Sequence, residues 1–190
     1  RDEALGRLRR AMRETTVVIE GGATNKSFVL ELLARPEVVG PSSAPADTSR
    51  RGAPVEWADT GWIDRVRAEG GLVADEHAGI ALVVAAIESY EEATRAEAER
   101  LLSTARGGRP QTQHASGITG DLKLRGQVHT VTTFGTAPGR YRVVVDGTCV
   151  EATVTWLDDV HGRVVVNGEK HRIVHAAHGP VHLIEVDGVT

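Results

Sequence analysis

Four histidines near the end of the chain have the residue type and spacing that could bind a metal ion. They are His171, His175, His178 and His182. A zinc site needs three or four ligands that converge on one point. In an extended strand His171 and His175 share one face and His178 lies on the other. The spacing therefore favours a solvent-facing row of polar residues that alternates with Ile173, Val181 and Leu183, and we predict no metal ligands here.

A glycine pair could bind an anion near the start of the chain. Residues 21–25 (GGATN) precede a segment with helical periodicity, so their backbone N–H groups could meet a phosphate. The Gly-Lys-Ser/Thr end of a phosphate-binding loop is missing. We therefore predict a strand-to-helix turn in which Thr24 or Asn25 caps the helix.

Nucleophilic and acid–base chemistry also lacks a convincing set of residues. Cys149 stands between Thr148 and Val150 in a predicted strand, which favours a small buried apolar residue over a nucleophile. The acidic residues of the central helix alternate with arginines and indicate a solvated face with local ion pairs. We predict no catalytic residue in this chain.

The elements that position these residues fall into three zones. Residues 1–39 predict a helix, a short strand at 15–20 (TTVVIE) and a second helix over 26–34. Residues 40–74 are rich in proline, serine and arginine and predict a linker or docking loop. Its Trp57 and Trp62 are our candidate docking residues, because an isolated loop tryptophan usually packs against a neighbouring surface.

Residues 75–190 predict a long helix followed by antiparallel strands. The helix is expected from Asp75 to about Thr104, and its first half is apolar on every side, so other elements must surround it. Hairpin signals at Asp146-Gly147, Asn167-Gly168 and Asp187-Gly188 predict an up-and-down sheet. The predicted fold class is α+β, with this helix wrapped by an antiparallel up-and-down β-barrel. We expect the strand that returns from Asp187-Gly188 to lie beyond Thr190.

Composition excludes several classes of partner. The net charge of −4, the pI near 6.1 and the 4% aromatic content disfavour nucleic acid as a ligand. The longest apolar stretch, residues 79–87, is too short to span a bilayer, so no membrane association is expected. A single cysteine is typical of a reducing compartment, which predicts a cytoplasmic protein.

Three stretches resemble a known enzyme family. Residues 4–38 (ALGRLRRAMRETTVVIEGGATNKSFVLELLARPEV) look like the C-terminal end of the biotin carboxylase domain of biotin-dependent acyl-CoA carboxylases. TGWID at 60–64 resembles the stretch that follows it in that family. Residues 80–189, with QVHTVTTFG and YRVVVDGTCVEATVTW, are similar to the domain that tethers the carboxylase components.

The resemblance implies a function for the chain as a part of a larger enzyme. Residues 1–39 would be a helix-strand-helix remnant of an ATP-grasp subdomain, and residues 75–190 the tethering domain. The parent enzyme would be oligomeric, use biotin, ATP and magnesium, and act on an acyl-CoA. The partners of this segment would be the carboxyltransferase and the rest of the biotin carboxylase domain.

None of the family's catalytic or cofactor-binding residues can be carried over to this sequence. The biotin-accepting Met-Lys-Met is missing, since the single methionine is Met12, which precedes Arg13. A free-standing β-barrel binding module is the main alternative function. A zinc enzyme built on the histidine cluster is the third.

Overall fold

The computed structural model describes residues 2–19, 22, 24–39, 61–68, 77–104 and 117–190. Contacts divide the chain into two compact units. The first unit comprises Arg1–Glu76 with Gly188–Thr190, and the second comprises His77–Asp187.

The first unit is helical in its described part. Its helices are α1 (Asp2–Glu14), α2 (Lys26–Ala34), α3 (Pro36–Val39) and α4 (Trp62–Ala68). The side chains of α1 and α2 bind backbone carbonyls on the other helix or at its end. Arg9 donates to the Leu33 carbonyl, and the buried Lys26 Nζ donates to the Thr15 carbonyl at 2.6 Å. These bonds satisfy carbonyl groups at helix ends that lack an intrahelical partner.

The strand predicted at residues 15–20 is wrong for its described part. Residues 15–19 have no regular secondary structure, and Val17, Val18 and Ile19 are exposed. The Thr15 N–H still bonds to the Ala11 carbonyl at 2.9 Å, so the chain first completes a turn of α1. A β-branched run becomes a strand only where another strand pairs with it, and no described residue does so here.

The second unit consists of a 27-residue helix, α5 (Ala78–Thr104), and one sheet. The seven strands are β1 (Ile118–Leu124), β2 (Gln127–Ala137), β3 (Arg140–Val145), β4 (Thr148–Trp156), β5 (His161–Val166), β6 (Glu169–His178) and β7 (Val181–Val186). They pair in chain order, and every pair is antiparallel. The predicted α+β class and up-and-down order are confirmed. The sheet is a curled half-barrel with β1 and β7 at its two ends, which shows the predicted wrapping of the helix but only part of the predicted barrel.

The core of the second unit lies between α5 and one face of the sheet. Val84 and Ile87 of the helix are fully buried, as are Val143, Val164 and Ile173 of the sheet. Burying one such side chain stabilises the fold by about 1.5–3 kcal/mol. The prediction that the first half of α5 is surrounded is therefore confirmed.

The hairpin turns have the backbone geometry that their sequences predict. At Asp146-Gly147 both residues have positive φ (47° and 86°), and at Asn167-Gly168 the values are 52° and 87°. Asp187-Gly188 has the same pattern after β7, at 50° and 92°. Asn, Asp and Gly are the residues that tolerate this left-handed region most easily, which is why the dipeptides predicted the turns.

The sheet contains an internal repeat that its sequence barely shows. Gly126, His129 and Val131 precede their counterparts Gly168, His171 and Ile173 by 42 residues. In the register, Val131 lies opposite Val145 just as Ile173 lies opposite Val186. The turn residues Asp146 and Asp187 are 41 residues apart, because a β-bulge near Gly135 adds one residue to β2. Strands β1–β3 therefore correspond to β5–β7, with β4 between them.

Candidate functional site

In each half of this repeat, a histidine of the second strand is hydrogen-bonded to an aspartate in the turn after the third strand. We call this arrangement a His–Asp clip. In the second clip, His171, Arg172 and Asp187, the Asp187 N–H donates to the Arg172 carbonyl at 2.9 Å and the Arg172 N–H donates to Asp187 Oδ1 at 2.8 Å. His171 Nδ1 lies 2.8 Å from Asp187 Oδ2. A carboxylate only accepts hydrogen bonds, so Nδ1 carries a proton, and in the neutral imidazole Nε2 is left with a lone pair.

The first clip has the same construction. His129 Nδ1 lies 2.7 Å from Asp146 Oδ2, and the Thr130 N–H donates to Asp146 Oδ1 at 2.9 Å. The hydrogen bonds from His129 and Thr130 lower the pKa of Asp146. Burial acts to raise the pKa of Asp187, but the bonds from His171 and Arg172 outweigh it, and the net pKa is lowered. Both clips therefore favour an ionised carboxylate at the turn.

The two clips differ in what surrounds the imidazole. His77, which immediately precedes α5, places its ring centroid 5.5 Å from that of His171 and its Nε2 4.0 Å from Asp187 Oδ2. The Nε2 atom of His171 is buried and has no hydrogen-bond partner. Within the part of the chain that the structure describes, His77, His171 and Asp187 are the one group of three whose possible metal-ligand atoms all lie within 4.8 Å of one another.

A second polar cluster lies further along α5, around His175. Its Nε2 is 3.1 Å from His182 Nδ1, and the two rings stack with centroids 5.4 Å apart. Its Nδ1 is 3.6 Å from Glu88 Oε2 on the helix, and the Trp156 ring lies 5.8 Å away. Burial lowers the pKa of His175 to about 4 and raises the pKa of Glu88. The carboxylate would favour a charged imidazole, but burial disfavours charge on both groups, and we expect His175 to be neutral at pH 7.

The solvent-facing histidine row that we predicted is wrong for His171 and His175 and holds for His178, which is exposed. Strand side chains alternate with a period of two, so His171 and His175 share the face of the fully buried Ile173. The sequence shows this shared parity, and it was sufficient to predict that the two histidines face the core. The structure does not bring the four histidines together, because it assigns His171 and His175 to different clusters.

The prediction that Cys149 is buried is also wrong. Cys149 is exposed, whereas Ala152 and Val154 of the same strand are buried. Cys149 has the opposite parity to these two residues and therefore faces away from the core.

The turn before α2 offers little to an anion. Asn25 holds the N-cap position but makes no side-chain capping bond. A cavity of about 340 Å³ lies beside it, lined by Met12, Thr15, Val17, Ile19, Thr24, Asn25 and Lys26. Among the described residues that line it, the one cation is the Lys26 ammonium, which already binds the carbonyls of Arg13 and Thr15.

The structure describes one of the two candidate docking tryptophans. Trp62 begins α4 and is buried, with 5% of its surface exposed. Trp57 lies outside the described residues. Sequence reasoning overlooked Trp156, which ends β4 with 38% of its surface exposed beside the exposed Leu157.

Comparison of the chain with protein-family models and with curated proteins found no match. None of the helices in the described ranges has the length and hydropathy needed to span a bilayer.

Proposed function

We propose that this chain is a non-catalytic tethering segment of an ATP-dependent, biotin-dependent acyl-CoA carboxylase. The observation that supports this most is the second unit, in which a 27-residue helix packs on a curled seven-stranded antiparallel sheet. A helix enclosed by such a sheet is the architecture that the resemblance of residues 80–189 implies.

The helices α1 and α2 would belong to the C-terminal end of the biotin carboxylase domain, an ATP-grasp enzyme. Biotin, ATP and magnesium would then bind to other parts of the parent enzyme. The cytoplasmic location and the oligomeric state of the parent belong to the same proposal.

Tethering is a mechanical task, and the second unit has the properties that it requires. Two active sites that share a swinging biotin must be held at a fixed span, because the effective concentration of the biotin falls when its tether cannot reach. A spacer of this kind must be rigid. The fully buried side chains of Val84, Val143, Val164 and Ile173 form a continuous core between helix and sheet, which resists deformation.

The best described docking surface for the carboxyltransferase is the exposed apolar pair at the end of β4. Leu157 is 57% exposed, and its neighbour Trp156 packs one side of its ring against Gly162. A tryptophan that is already fixed in place loses little side-chain entropy on binding, and tryptophan is enriched among residues that dominate binding energy. Trp57, which lies outside the described residues, would anchor the segment to the biotin carboxylase domain, whereas Trp62 is already buried within this chain.

Binding to a purified carboxyltransferase tests the proposal. Isothermal titration of the 190-residue chain with the carboxyltransferase component of an acyl-CoA carboxylase from the same organism should give a saturable complex. The double variant Trp156→Ala/Leu157→Ser should weaken it at least tenfold, which is typical of removing a central anchor. Val128→Ser is the matched control, because Val128 is 59% exposed on β2 and should not affect binding.

A second measurement addresses the parent protein. The protein isolated from its source should give a streptavidin signal and a mass well above the 20.3 kDa of this chain. Failure to bind the carboxyltransferase, together with a biotin-free protein of 20.3 kDa, would contradict the proposal and favour the free-standing binding module.

A further inference from the structure

We propose that His77, His171 and Asp187 form a binding site for a divalent transition-metal ion, with zinc the best-suited ion. Two imidazoles and one carboxylate are a ligand set that zinc accepts readily. All three residues belong to the second unit, and their ligand atoms lie within 4.8 Å of one another. The site does not depend on the tethering function proposed above.

The distances between the ligand atoms are close to those of a coordinated ion. His171 Nδ1 and Asp187 Oδ2 are 2.8 Å apart, and His77 Nε2 and Asp187 Oδ2 are 4.0 Å apart. Ligand atoms about 2.0–2.1 Å from a tetrahedral zinc are about 3.3 Å from one another. The His171–Asp187 separation must therefore open, and the His77–Asp187 separation must close, by less than about 1 Å. The ligand atoms of the two histidines lie within 4.8 Å of each other and must close by at most about 1.5 Å, and side-chain rotation can supply shifts of this size.

The unpartnered nitrogen of His171 is the second observation that indicates a ligand. Its side chain is 10% exposed, and its buried Nε2 makes no hydrogen bond, although Glu169 Oε2 lies 3.9 Å away. With the proton on Nδ1, this lone pair faces a carboxylate that cannot donate to it.

Metal binding would give the Nε2 atom of His171 a hydrogen-bond partner. The ion takes the place of the proton on His171 Nδ1, and that proton is replaced by one on Nε2, so the imidazole stays neutral and changes only its tautomer, with no net release of a proton. The Nε2–H can donate to Glu169, as in the carboxylate–histidine–zinc arrangements of other metal sites. His77 and Asp187 are partly exposed, which leaves a route for the ion and a fourth position for water.

The first clip shows why a His–Asp pair alone does not indicate a metal site. His129 and Asp146 have the same geometry, 2.7 Å apart, but they belong to no three-ligand group in the described part of the chain. A His–Asp pair closes the turn without a metal in both halves. The proposal rests on His77 and on the buried Nε2, which the second clip has in addition.

Metal titration of the full chain tests this site. The chain is stripped with a chelator and titrated with zinc against a chromophoric competitor, and with cobalt while the visible absorption is recorded. We expect one ion per chain and the visible bands of tetrahedral cobalt. His77→Ala should lower the affinity at least tenfold and abolish those bands, because two ligands remain of three. The matched control His129→Ala removes the imidazole of the first clip and should leave the affinity unchanged.

Protein stability is the independent readout. Zinc should raise the melting temperature of the wild type and of His129→Ala, because an ion that binds only the folded state stabilises it. It should not raise that of His77→Ala. Melting curves in chelator verify that each variant is folded, and His77→Gln replaces His77→Ala if the latter is not. Equal zinc affinity in the wild type and the folded His77 variant, or no stoichiometric uptake by the wild type, would overturn the proposal.

Discussion

At the scale of single residues, His175 links the charge state of the core to the stability of the fold. Its side chain faces Glu88 of α5, His182 of β7 and Trp156 of β4. Two neutral imidazoles can share one hydrogen bond, whereas protonating both would place two positive charges 3.1 Å apart. Burial and this neighbour explain why the pKa of His175 falls to about 4.

Lowering the pH should therefore destabilise the protein. An unfolded histidine has a pKa of about 6.5, so between pH 6.5 and 4 the unfolded chain binds a proton that folded His175 does not. The contribution of neutral His175 is complete above about pH 6.5 and is lost as the pH falls towards 4, with a maximum loss of roughly 3 kcal/mol. Urea unfolding of the wild type and of His175→Gln at pH 7.5 and pH 5 measures this loss of unfolding free energy.

Comparing the loss of stability between pH 7.5 and pH 5 in the wild type with the loss in His175→Gln separates the contribution of His175 from that of its neighbours. Burial also lowers the pKa of His182 and raises the pKa of Glu88, and these two groups are present in both proteins. Wild type should lose more stability than His175→Gln between the two pH values. The same loss in both proteins would disprove the role of His175. His178→Gln, a change at an exposed histidine of the same strand, should behave like wild type.

At the scale of elements, the loop between β2 and β3 is hydrogen-bonded to the second half of β4. Gly139 has a φ of +69°, and its carbonyl accepts a hydrogen bond from the Val154 N–H at 2.8 Å. A Cβ atom on Gly139 would lie 2.8 Å from the Val154 carbonyl oxygen. The loop and β4 therefore require glycine both for its backbone angle and for the close approach.

Gly139→Ala should destabilise the second unit more than an alanine at another left-handed glycine. Gly147→Ala is the matched control, since Gly147 has a φ of +86° but nothing within 4 Å of its Cβ position. The control should cost about 1–2 kcal/mol from backbone strain alone. Gly139→Ala should cost about 1–3 kcal/mol more, because the backbone carbonyl must move. Equal costs in urea unfolding would show that the contact is unimportant.

Local signals in the sequence predicted these elements where the structure depends on local geometry. Asp146-Gly147 and Asn167-Gly168 predicted their turns because positive φ is a property of the residues themselves. The end of α5 near Thr104 followed from the glycine pair after it. The strand expected at residues 15–20 failed because pairing depends on distant residues, which a short β-branched run does not specify.

The candidate metal site could be predicted only in part from the sequence. The parity shared by His171 and Ile173 could have predicted a core-facing imidazole, whereas we predicted a solvent-facing row. The spacing of 42 residues between His129 and His171 became meaningful only once the strand register was known. His77 could not be predicted as a neighbour, because it precedes α5 and reaches His171 only through the packing of helix on sheet. Long-range contacts of this kind leave no periodic signal in the chain.

At the scale of the whole molecule, the second unit contains a complete core of its own. The buried cluster of α5 and the sheet runs from Val83 to Val186, and all of its members lie within His77–Asp187. A domain folds independently when its apolar side chains are buried among themselves.

A protein consisting of residues 77–190 should therefore fold without the preceding part of the chain. It should unfold in a single cooperative transition in urea, with the strand-rich circular dichroism of the seven strands. Thermal and urea transitions recorded by different probes should coincide. A non-cooperative transition would mean that the core depends on residues before His77.

The correspondence between β1–β3 and β5–β7 has a consequence for how this sheet arose. Matching turns, matching clips and a one-residue difference located at a bulge are what tandem duplication of a three-strand ancestor leaves behind. In both halves the same imidazole and carboxylate bond to each other at a turn, and within the described residues only the second half adds a further histidine, His77, beside them. One chain therefore contains the same hydrogen-bonded pair in two different surroundings.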